Sequence, residues 1–72
     1  TMAIPKIGDK VIIHPKSPLL EPLQGEQATV TYLDEPNIYN HYLNPIQIEL
    51  NKPYDESGQK VIRLNIKEVK LC

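Results

Sequence analysis

Tyr39, His41 and Tyr42 fall together in the polar stretch Asp34-Glu35-Pro36-Asn37-Ile38-Tyr39-Asn40-His41-Tyr42-Leu43-Asn44. Tyrosine offers a large rigid contact area with a polar tip, so this cluster has the make-up of an anchor for a protein partner. The competing reading is that both rings fold back as a lid on a core that has no Phe and no Trp. Tyr32 and Tyr54, outside this stretch, read as packing residues. A second set, Lys60, Arg63, Lys67 and Lys70, gathers cations near the C-terminus and is the surface best suited to nucleic-acid phosphate. Its plainer reading is a solvated face balanced by Glu49 and Glu68 across a sheet.

The remaining reactive residues do not assemble into a catalytic pattern. His14 and His41 would need Asp34 or Glu35 to hold a metal, and a tight site takes three or four ligands at defined geometry. Their spacing supplies no such set, so no metal and no cofactor is expected. Cys72, Ser17 and Ser57 have no identifiable base and orienting acid near them in sequence, as an activated nucleophile requires. Three isolated glycines make no phosphate cradle. The expectation is a protein that is not an enzyme. Pro15-Lys16-Ser17-Pro18 and Pro18-Leu19-Leu20-Glu21-Pro22 read either as a displayed polyproline ligand or as a stiff loop docked by its leucines.

Alternating segments position these residues. Apolar and polar side chains take turns over residues 10–14, 27–33, 45–50, 60–66 and 68–71, the period of strands and not of helices. Val11 and Ile13 share a face opposite Ile12. Ala28, Val30 and Tyr32 share one opposite Thr29, Thr31 and Leu33. Ile46, Ile48 and Leu50 oppose Gln47, Glu49 and Asn51, and Ile62, Leu64 and Ile66 oppose Val61, Arg63 and Asn65. Residues 15–25 hold three prolines and no alternation, which predicts a long extended or polyproline-like loop anchored by Leu19, Leu20 and Leu23. Residues 34–44 predict a second long loop with one helical turn after Pro36. Asp55-Glu56-Ser57-Gly58 supplies turn residues between strands three and four. Residues 65–68 predict one tight 3-10 turn before the last strand. The fold expected is all-β: a small five-stranded SH3-like barrel with two long loops.

Length and charge narrow the classes. Seventy-two residues make one domain, expected to span residues 2–72, with Thr1 read as a remnant ahead of the natural start at Met2. No unbroken apolar run exceeds three residues, against the roughly 20 a membrane-spanning helix needs, so no membrane association is expected. A lone cysteine cannot form an internal disulfide, which fits a reducing cytoplasm. Eight basic and nine acidic residues are mixed along the chain, whereas non-specific nucleic-acid binders carry a basic excess.

Ile7-Gly8-Asp9-Lys10-Val11, Gly25-Glu26-Gln27-Ala28-Thr29-Val30, Ile46-Gln47-Ile48-Glu49-Leu50 and Arg63-Leu64-Asn65-Ile66-Lys67-Glu68-Val69 follow one another in a layout that spans nearly the whole chain. That layout resembles the KOW-like and SH3-like small proteins of phages and mobile elements in Gram-positive bacteria. KOW-type modules carry two glycines three apart at strand two, where this chain has Gly25 and Ala28, and their basic loops are replaced here by Glu21, Glu26, Asp34 and Glu35. The resemblance implies origin as an accessory module of a phage or mobile element, and with the loop cluster the expectation is a module that binds a host or phage protein through Tyr39, His41 and Tyr42. The alternative it implies is a nucleic-acid or ribosome/polymerase-associated module using Lys60, Arg63, Lys67 and Lys70, with Tyr39 or Tyr42 stacking on bases. The chain is expected to be a monomer or a weak homo-oligomer paired through strand edges.

Overall fold

The alternating segments become five strands in the computed structural model, which describes residues 4–72. Thr1 and Met2, on which the reading of the natural start rests, lie outside the described residues. The strands are β1 (Lys10–Ile13), β2 (Gln27–Leu33), β3 (Ile46–Leu50), β4 (Val61–Leu64) and β5 (Val69–Leu71). They form one antiparallel sheet in the order β4-β3-β2-β1-β5. Val11, Ile13, Ala28, Val30, Ile46, Ile48, Leu50 and Leu64 project from one face into the core, as their alternation predicts. Three short 3-10 segments add further apolar side chains: Leu23 closes Pro18–Leu23, Ile38 follows Glu35–Asn37, and Ile66 begins Ile66–Glu68.

Chain connectivity forces the sheet to curl. β4 and β5 stand at opposite edges, which in a flat five-stranded sheet would be about 19 Å apart at the usual strand spacing. Only residues 65–68 join them, and a step of that length through a 3-10 turn advances about 10 Å. Strand twist must therefore bend the edges toward one another. No ladder joins β4 to β5 among the described residues, so the sheet is curled but not closed by hydrogen bonds.

Three expectations need correction. The 15–25 segment is not an extended loop, because Pro18–Leu23 winds into a 3-10 helix. The Ser17 hydroxyl accepts the Leu19 N–H at its start (3.3 Å), Pro18 sits where no N–H is required, and Gly25 (φ 82°) turns the chain back into β2. Winding splits the leucines: Leu23 is buried and Leu20 half-buried, but Leu19 is 88 % exposed and anchors nothing. Tyr32 does not share the Ala28 and Val30 face, because β2 carries a register shift between Val30 and Tyr32. One extra residue reverses the alternation. Tyr32 turns out to solvent and Leu33, expected outside, packs against the core. Finally, β4 stops at Leu64, so Asn65 and Ile66 belong to the turn and not to the strand.

Candidate functional site

The 34–44 segment is a built loop. The Asp34 N–H donates to the Pro45 carbonyl (2.8 Å) where the loop closes on β3, and Asn37 Nδ2 donates to Asp34 Oδ2 (2.9 Å). Ile38 plugs into the core. Asn40 Oδ1 accepts the Tyr42 N–H (2.9 Å), and the Asn40 carbonyl accepts the Leu43 N–H (3.3 Å), making a tight turn at the tip. From below, the buried Asn65 donates through Nδ2 to the carbonyls of Asn40 (3.1 Å) and Leu43 (2.9 Å). From the side, Arg63 Nε donates to the Asn44 carbonyl (3.1 Å).

That framework aims the aromatic cluster outward. Tyr42 is 98 % exposed and Tyr39 60 %, His41 is exposed between them, and Leu43 adds apolar surface. The lid reading of these rings is therefore wrong: Ile38 fills the core position beneath the loop, and the turn at Asn40 directs Tyr42 away from it. Tyr54 is partly exposed and lines two surface grooves.

The cationic set is brought together only in part. Arg63 stands on β4 with its guanidinium 5.5 Å from the centroid of the Tyr32 ring, within cation–π range, beside the loop it helps to hold. Lys60 precedes β4, Lys67 lies in the third 3-10 turn, and Lys70 is on β5 at the opposite edge of the sheet. Glu68 does not balance them across the sheet. It is buried, with Oε1 accepting the Asn65 N–H (3.1 Å) and Oε2 the Lys16 N–H (3.0 Å).

His14 and Ser57 are tied into local hydrogen bonds. His14 Nδ1 pairs with Gln24 Nε2 (2.7 Å), and among the described residues no three His, Cys, Asp or Glu side chains gather where an ion could be held. Ser57 donates its hydroxyl to Asp55 Oδ1 (2.5 Å), which also accepts the N–H groups of Ser57 and Gln59. The Ser57 hydroxyl foremost, with those N–H groups, holds the Asp55 carboxyl below its ordinary range against a smaller effect of desolvation. Cys72 is exposed. No helix among the described residues is long and apolar enough to cross a membrane.

Sequence reasoning placed Asn65 and Glu68 in a tight turn but missed their buried capping roles. Their signal was present, since Asn65-Ile66-Lys67-Glu68 has the spacing of a capping box, in which first and fourth side chains bond each other's backbone. What defines the molecule is an all-β sheet, curled by its last turn, with an aromatic loop pinned to that turn. Compared with known proteins, the chain matches no family model and no curated sequence.

Proposed function

We propose that this protein is a non-catalytic, SH3-like small barrel that binds another protein through its 34–44 loop, with Tyr39, His41 and Tyr42 as the contact residues. The observation that carries this reading is Tyr42, 98 % exposed at the tip of a loop whose backbone is held from within by Asn65. An ordered backbone lowers the entropy lost on docking, and an exposed tyrosine buries large area at the cost of two side-chain torsions. The SH3-like description rests on strand order and on the curl imposed by residues 65–68. Origin in a phage or mobile element, with a cytoplasmic host or phage factor as partner, rests on the resemblance in layout.

Parallel affinity capture with the wild type and with Tyr39→Ala/Tyr42→Ala, followed by titration of the enriched protein, tests the proposal. Both rings project into solvent, so the double variant should melt within a few degrees of wild type, as surface substitutions do. It should lose the partner at least tenfold, because aromatic anchors carry a large share of binding energy. A stably folded double variant with unchanged affinity removes this loop from the proposal.

Arg63 over Tyr32, beside the loop, favours a second reading as a nucleic-acid module. Single-stranded RNA would then bind with affinity that falls steeply with salt, and Arg63→Glu/Lys67→Glu would abolish it. Absence of binding at low salt defeats that reading.

A further inference from the structure

The outer edge of β4 pairs with no strand among the described residues, and the register fixes what it offers. The Leu50 N–H donates to the Lys60 carbonyl (2.8 Å), and the ladder continues through Glu49↔Val61, Ile48↔Ile62, Gln47↔Arg63 and Ile46↔Leu64. Bonded and non-bonded pairs alternate in an antiparallel ladder, so Lys60, Ile62 and Leu64 bond to β3 while Val61 and Arg63 turn their backbone groups outward. Gln59 Nε2 caps the Val61 carbonyl. The N–H groups of Val61 and Arg63 and the Arg63 carbonyl have no partner among the described residues.

A groove of about 650 Å3 contains Arg63 and Leu64 on this side and Lys16, Ser17, Leu19 and Leu20 on the other. The charge it presents is positive. Lys16 and Arg63 line it and Lys60 heads the edge, whereas Glu68, which also lines it, has both oxygens bonded to backbone N–H groups. Leu19 and Val61 add exposed apolar surface.

We propose that this edge accepts an extended, acidic and partly apolar segment of a partner protein as an added strand beside β4. The outward backbone groups supply ladder bonds, Lys16, Lys60 and Arg63 select carboxylates, and Leu19 and Val61 meet the segment's apolar side chains. A second copy of this chain fits worse, because antiparallel β4 pairing crowds Lys60 and Arg63 of one copy against those of the other. A nucleic-acid backbone has no regularly spaced N–H donors to meet the Arg63 carbonyl. The groove adjoins the 34–44 loop at Asn44, but Tyr39 and Tyr42 do not line it.

The test is an NMR and hydrogen-exchange titration of the full chain with a blocked nonapeptide of the repeat Glu-Glu-Val-Val, which places both residue types on each face of the added strand. Saturation should protect the Val61 and Arg63 amides. Val61→Pro deletes an outward donor without touching the ladder to β3, a placement proline tolerates on an edge, and should weaken binding about tenfold, the worth of one hydrogen bond. N-methylation of either alternate set of peptide residues, which does not depend on any variant folding, should weaken it at least as much in one of the two phases. Lysine in place of glutamate should do so as well. Tyr39→Ala/Tyr42→Ala should bind this peptide like wild type, so failure here and failure of the loop proposal are separable. The inference is overturned if both amides stay unprotected at saturation, if both N-methylated peptides or the lysine peptide bind equally well, or if a uridine decamer protects the edge and the acidic peptide does not.

Discussion

Asn65→Asp should free the 34–44 loop from the last turn while leaving the turn before β5 capped. The Asn65 side chain works in two directions. Its Oδ1 accepts the Lys67 N–H (3.0 Å) within its own turn, and its Nδ2 donates to the Asn40 and Leu43 carbonyls across the fold. Aspartate keeps the acceptor and replaces the donor with a second oxygen that faces two carbonyls. Two hydrogen bonds are lost at about 1 kcal/mol each, and a buried carboxylate edge left against acceptors adds a further 1 kcal/mol or more, for a total of about 3 kcal/mol. In a chain of this size that corresponds to a melting-temperature fall of about 10–20 °C. Hydrogen exchange identifies the mechanism: the Tyr42 and Leu43 amides, bonded within the loop, should lose protection before the strand amides do. Asn65→Ser, which keeps a capping oxygen without opposing charge, should fall in between. Because Tyr39 and Tyr42 are untouched, any loss of partner affinity in Asn65→Asp measures what loop order contributes to docking. A melt like wild type with loop amides still protected would show that the loop holds itself.

Strand positions were legible because a half-buried strand writes its two faces into alternate residues. That signal is local, and it fails where geometry depends on another part of the chain. Tyr32 shows the limit. Ala28, Val30 and Tyr32 alternate without a break, but the β2 strand skips register against β3 at Thr31, whose hydroxyl bonds the Gln47 carbonyl (3.3 Å). Only the partner strand reveals the bulge. Prolines misled in the 15–25 segment for the opposite reason: a short 3-10 helix tolerates proline at its start, and the burial of Leu23 decides the winding. The aromatic cluster was legible as residue types, but its outward display was not. That display depends on Asn65, which lies 25 residues beyond Asn40 in sequence.

Glu68→Gln should cost nearly as much as Glu68→Ala, despite the near-identical shape of the glutamine side chain. Both Glu68 oxygens accept backbone N–H groups, one from Asn65 in its own turn and one from Lys16, 52 residues away. The Glu68 backbone carbonyl accepts the His14 N–H (2.7 Å), so this residue fastens the end of β1 and the start of the 3-10 helix to the last turn. Glutamine can satisfy only one of those donors, and its NH2 group then faces the other N–H at close range. An unsatisfied buried donor costs about 1–3 kcal/mol, and the weaker neutral bond that remains adds to it. Glu68→Ala loses both bonds but lets water reach the vacated N–H groups, which limits its excess over glutamine. Urea unfolding at neutral pH should place both variants about 2–4 kcal/mol below wild type with an unchanged denaturant slope. The reciprocal capping adds a sharper requirement. Asn65 and Glu68 stabilise the same turn, so once either is replaced the other has less left to hold. The combined variant should be less destabilised than the two single losses added together, by about 1 kcal/mol. Strict additivity would mean that the loop and the β1 junction are fastened independently, and that the last turn is not the single clamp joining them.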